Sequence, residues 1–286
     1  TQLIRQGANP SVEPSLRHRH EKAYPLLSLS IDDMTDSTIP SIWVQGQVPN
    51  RWSRPHPVRL PRWSSPQLQD AVMTALIDGG ADINARFANR ESRPIRVAVA
   101  AANMPAVGLL LRRGVQLRGF LVMCLPEYNT CRPTPECERQ LMAIYRRLIQ
   151  HDSTVATEEG PGGGGLVFWA FARGIGRFSQ PFMSQYLDPL VDNGADIRAA
   201  NNSGHTELHR AARWGSYFFV DWLCRKLSPD DIDRGTNNNL TPLVIAAGSV
   251  RISTEKLGRN EIAEDVEEDI RTREIPNLET VIRTLL

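Results

Sequence analysis

The stretch Gly204-His205-Thr206-Glu207-Leu208-His209-Arg210-Ala211-Ala212-Arg213-Trp214-Gly215 decides how the chain folds. The hydroxyl of Thr206 suits the N-cap of a helix, where it satisfies an amide left without an intrahelical partner. Leu208 then points inward, and the paired Ala211 and Ala212 are small enough to let a neighbouring helix approach. A second copy runs Leu240-Thr241-Pro242-Leu243-Val244-Ile245-Ala246-Ala247. Its proline suits the first helical turn, where a missing N–H costs nothing.

A different half-motif also recurs: Leu76-Ile77-Asp78-Gly79-Gly80-Ala81-Asp82-Ile83-Asn84, then Leu190-Val191-Asp192-Asn193-Gly194-Ala195-Asp196-Ile197. Weaker copies are Leu3-Ile4-Arg5-Gln6-Gly7-Ala8-Asn9 and Leu110-Leu111-Arg112-Arg113-Gly114-Val115. Here Gly80, Gly114 or Gly194 supplies the left-handed residue that ends a helix. The Asp or Asn that follows starts the next turn. Together the halves resemble the ankyrin repeat, which runs G-x-T-P-L-H-x-A-A into a second helix ending L-L-x-x-G-A-D. The resemblance implies an all-α solenoid of about six to seven helix-turn-helix repeats with short β-turn fingers.

Threading that pattern gives a partial repeat near 1–10, then repeats at 22–85, 91–117, 118–155, 165–198, 203–233 and 238–286, in a single domain over 1–286. Repeat two opens at Tyr24-Pro25-Leu26, and repeat four has a first helix near Gly119-Phe120-Leu121. The first repeat is only a tail and the last stops before any G-A-D, as in a fragment of a longer chain. Extra residues fall at 32–66, 126–135, 175–181 and 249–276, each between the two helices of its repeat. Insertions at one repeat position line up on one edge of such a stack.

Two insertions have unusual compositions. From Ser37 to Gln69 there are Arg51, Arg54, Arg59 and Arg62, no acid, and Trp43, Trp52 and Trp63. Three tryptophans pin a long loop to its own helices, anchor a protein partner, or, interleaved with arginine, stack on bases. The 249–276 insertion is acidic, with Ile262, Val266 and Ile270 at the spacing of an amphipathic helix lying on the repeat, or it is an acidic docking site for a basic partner.

The net charge of +1 supplies no field to draw nucleic acid or an anionic membrane. No apolar run reaches the ~18 residues of a spanning helix, and Thr1 to Pro10 does not read as a signal peptide. Four cysteines in 286 residues form no disulfide framework, which points to a reducing, intracellular compartment, cytoplasmic or nuclear.

Motifs with catalytic or metal-binding associations fail on spacing. In His205-Thr206-Glu207-Leu208-His209 the glutamate sits one place late for a zinc-protease helix, and His205 precedes the cap. In the family it resembles, the position of His209 bonds one repeat to the next. Gly160-Pro161-Gly162-Gly163-Gly164-Gly165 lacks the strand and lysine of a phosphate-binding loop and reads as a mobile finger tip. Cys124, Cys131, Cys137 and His151 lack a paired C-x-x-C knuckle, and Cys124 fits as a small buried thiol. No catalytic residue, metal or cofactor is assigned.

The resemblance implies that another protein is bound through the turn tips and the inner-helix face. The variable pair after the two alanines is Arg213 and Trp214 in repeat six, Ala100 and Ala101 in repeat three, Ala172 and Arg173 in repeat five, and Ile31 and Asp32 in repeat two. Trp214 and Arg213 are the leading contacts, with Arg210, Asn201, Asn202 and Arg173 beside them. The expected function is that of an adaptor or scaffold. The alternative is the targeting region of a larger enzyme or signalling protein whose active domain lies elsewhere.

Overall fold

A computed structural model describes residues 24–35, 37, 39, 60–85, 92–128, 132–160, 164–174, 176–257 and 264–286. These residues are all-helical, with no strand among them beyond two isolated bridges. They divide into two compact bodies, one from residues 1–158 with 176–186, the other from 159–175 with 187–286.

The first body holds α1 (Leu26–Leu29), α2 (Pro66–Asp78), α3 (Pro94–Ala100), α4 (Met104–Arg112) and α5 (Pro135–His151), then a 3-10 turn at Ser153–Thr157. Helices α1 and α2, and then α3 and α4, pair as hairpins. Within the layers, α1 packs on α3, α2 on α4, and α4 on α5. The second body holds α6 (Leu166–Gly174), the end of α7 (Gln180–Asp192), α8 (Glu207–Arg213), α9 (Tyr217–Cys224), α10 (Pro229–Ile232), α11 (Pro242–Leu257), α12 (Glu264–Asp269), a π-helical stretch Ile270–Glu274, and α13 (Ile275–Leu285). There α6 packs on α8 and α8 on α11 in one layer, α9 packs on α13 in the other, and α8 with α9 and α11 with α13 form the hairpins.

The sequence starts and stops these helices by repeated devices. Ser65 before Pro66, Asn103 before Met104-Pro105, Thr134 before Pro135 and Thr241 before Pro242 each accept a bond from an amide of the first turn. Helices α2, α4 and α7 end in the same pair of bonds. Gly80 N–H donates to Ile77 and Ala81 N–H to Leu76, and the pattern repeats at Gly114–Val115 and at Gly194–Ala195. All three glycines have positive φ, as the sequence predicts. The same two bonds close α3 at Ala102–Asn103 and α8 at Gly215–Ser216.

The fingers before the inner helices also repeat. Gly160 N–H donates to Gly164 C=O, Asn201 to His205 and Thr236 to Leu240, each ending one residue before a helix cap. Bridges Glu159–Gly165 and Ala200–Thr206 close two of them.

Three expectations are corrected. No helix forms at Gly119-Phe120-Leu121, where residues 118–124 make successive turns. Gly119 and Leu121 both take positive φ there, and the Glu158 carboxylate binds the amide of Gly119. In repeat two the cap is Pro25 and not Tyr24, so Leu27 and not Leu26 is the inward leucine; Leu27 is 1% exposed and Leu26 39%. The insertion expected at 249–276 begins inside a helix, because α11 runs on to Leu257. Of the finger tip expected at 160–165, residues 161–163 lie outside the described residues, while Gly160 and Gly164 on either side are packed. Added β-carbons at Gly160 and Gly164 would clash with the Trp169 indole and the Phe168 ring, so the backbone lies close against both aromatics.

Candidate partner-binding face

The inner layer of the second body is built on three residues of α8. Leu208, Ala211 and Ala212 are all fully buried. Between them, on the other side of the helix, lie Glu207, Arg210 and Arg213. Helix α8 ends at Trp214, whose N–H donates to Arg210 C=O at 3.1 Å, and Gly215 turns the chain at φ +64°. A β-carbon on Gly215 would come within 3.3 Å of Leu278, so the turn presses against α13. The backbone is thereby held while the Trp214 side chain points outward, 71% exposed. It is not buried against Phe218, which sets its ring edge-on against Phe219 instead. Tyr217 adds a second exposed ring at 41%.

The remaining expected contacts divide. Arg213 is exposed beside Trp214. Arg210 is partly committed to structure, with its guanidinium 3.8 Å from the Phe168 ring centre and 3.6 Å from Glu207. Burial raises the Glu207 carboxyl above its usual range, against the opposing pull of Arg210. Arg173 lies over the Trp169 ring at 5.4 Å, so that Arg173, Trp169, Phe168 and Arg210 form one interleaved row across α6 and α8. Asn201 builds its own finger, accepting from the amides of Ser203 and His205 at 3.0 Å each. Asn202 is exposed, and its carbonyl accepts from Asn237 on the next finger.

The equivalent positions elsewhere are less available. Ala100 and Ala101 are buried, as is Ile31, while Ala172 is exposed. With the corrected register the pair in repeat two is Asp32 and Asp33. Asp33 is spent on local bonds from Thr35 and Ile39. Trp63 is half-pinned, with its indole N–H donating to Ser30 C=O at 2.8 Å and its amide to Asp32. Trp43, Trp52, Arg51, Arg54 and Arg59 lie outside the described residues, as do Cys131 and Ile262. Of the acidic segment, Ile270 is buried but Val266 is 47% exposed.

His209 links α8 to the turn before α11. The Thr206 amide donates to its Nδ1 at 3.1 Å, which leaves Nε2–H to donate to Leu240 C=O at 3.0 Å. Burial, with His205 adding to it, holds its pKa below the ordinary 6.5. The third helical residue does related work elsewhere. Ser28 donates to Ser92 C=O, and Arg96 donates to the carbonyls of Leu121 and Cys124. Phe168, at the matching place in α6, receives Arg210. The sequence marks this role at His209 only; at Ser28, Arg96 and Phe168 nothing in the motif announces it.

Cys124 and Cys137 are buried thiols and Cys224 is half-buried. Among the described residues no three His, Cys, Asp or Glu side chains converge as metal ligands, and no helix is long and apolar enough to cross a membrane. Compared with models of known protein families and with curated proteins, the chain finds no match to either.

Proposed function

We propose that this chain is a protein-binding module of ankyrin-repeat type, acting as an adaptor or scaffold, and that it captures its protein partner on the edge formed by Trp214 and Arg213. The observation that carries the proposal is the exposure of Trp214 at the end of a helix whose other face is completely buried. A tryptophan left in water on a rigid support is the side chain whose truncation most often costs an interface its affinity. Arg213 beside it adds the other residue type enriched at such anchors. Tyr217 widens the apolar patch. Arg210 and Arg173 stiffen its support through the aromatic row, and Asn201 sets the shape of the neighbouring finger. The repetition of caps, closing bonds and finger bonds supports the repeat assignment, as does the His209 link between successive inner helices.

The test compares immobilised wild-type chain with Trp214→Ala by quantitative affinity capture. The variant is expected to keep its helical circular dichroism and melting temperature while losing its specific partner, through a loss of about 2 kcal/mol or more. Undiminished capture of the same partner would remove Trp214 from the interface. A fall in melting temperature would make it a packing residue.

A further inference from the structure

A second surface lies in the first body, on the layer of second helices. Helices α4 and α5 pack side by side, and between them runs an open groove of about 610 Å3. Met104, Pro105, Gly108 and Arg112 line it from α4, and Ala143, Arg146, Arg147 and Gln150 from α5. These residues follow helical spacing, so each set is one continuous face. The depth comes from Gly108 and Ala143, which put no bulk where the helices meet. A β-carbon at Gly108 would find only the tip of Arg112, at 3.5 Å.

The charge is one-sided. Three guanidinia ring the groove and no carboxylate lines it. Arg112 has only a long 3.4 Å contact to Asp70 and stays 63% exposed, and Arg146 bonds to the neutral amide of Gln185. A surface with an aliphatic floor and a cationic rim accepts an aliphatic side chain flanked by carboxylates. Guanidinium groups grip such carboxylates through paired hydrogen bonds. Nucleic acid is disfavoured, because the groove offers no aromatic ring for a base to stack on, and the whole chain carries a net charge of only +1.

We infer that the groove between α4 and α5 is a docking site for an acidic peptide segment of a partner protein, separate from the Trp214 edge.

The experiment uses the full chain and a fluorescein-labelled synthetic peptide made of repeated Glu-Leu-Glu-Glu-Leu, read by fluorescence anisotropy. The same sequence with Lys for Glu, and labelled oligothymidylate, serve as comparisons. Saturable binding of the acidic peptide that weakens with added salt is expected. Arg146→Glu combined with Arg147→Glu should weaken it about tenfold. Gly108→Leu, favourable for helix formation at a half-exposed position, should block it by filling the floor while helicity is retained. Trp214→Ala should leave it unchanged. Absence of saturable binding, binding indifferent to both the charge reversal and Gly108→Leu, or preference for oligothymidylate would overturn the proposal.

Discussion

Single residues do two separable jobs here, and substitutions can tell them apart. Gly114 and Gly204 both have positive φ, +73° and +79°. A β-carbon on Gly114 meets nothing within 4 Å, whereas one on Gly204 meets the Asn237 side chain at 2.7 Å and its backbone nitrogen at 2.8 Å. Gly114→Ala should therefore cost only the left-handed penalty of about 1–2 kcal/mol. Gly204→Ala must also push neighbouring fingers apart, and its urea midpoint should fall further. Equal losses would show that the fingers yield freely. His209 makes a pH prediction. Its Nδ1 must be unprotonated to accept from Thr206, and its folded pKa lies below the ordinary 6.5. A base with a lowered folded pKa contributes stability that is present above its unfolded pKa and is lost as pH falls. Wild-type stability should decline below pH 6.5, and His209→Leu should flatten that stretch of the profile. An unchanged slope in urea titrations would assign the loss to other groups.

At the scale of the element, what was legible in the sequence was the local chemistry. Thr241, the glycines at 80, 114 and 194 and the inward Leu208 all act where the motif places them, because caps and left-handed turns depend on a few adjacent residues. The candidate site was partly legible for the same reason. Trp214 follows directly from the end of α8, but the stacking of Arg210 on Phe168 depends on a helix 42 residues away in sequence, from 210 to 168. Repeat two slips by one place because Tyr24-Pro25-Leu26 imitates a Thr-Pro-Leu start, and the burial of Leu27 corrects it. The segment 118–124 escapes a local reading because its conformation is imposed from outside. Glu158 accepts from Gly119, and Arg96 reaches into the same turn to bind Leu121 and Cys124. Burial raises the Glu158 pKa, opposed by the amides of Gly119, Leu121 and Phe120. Glu158→Ala should strand those amides, costing about 1–3 kcal/mol in thermal unfolding. An unaltered melting temperature would show that the turn holds itself.

For the molecule as a whole, stability in a repeat chain of the kind proposed is close to a sum of local terms. Leu208→Ala should cost about 2–5 kcal/mol through the cavity it leaves. Hydrogen exchange should show where that loss is felt. Amides of α8, α9 and α11 are expected to exchange faster, while those of α3 and α4 keep their protection. Uniform loss of protection along the chain would mean a single cooperative unit.

Three of the hydrogen bonds made by the third helical residue share a direction. Ser28 donates to Ser92, Arg96 to Leu121 and His209 to Leu240, so in every case the donor precedes its acceptor in the chain. On a ribosome adding about 5–20 residues each second, each donor is made seconds before the carbonyl that will receive it. Until then Ser28 and His209 lack these acceptors, and burying a polar group without one is costly. These three links can form only after the segment that carries the carbonyl has been made.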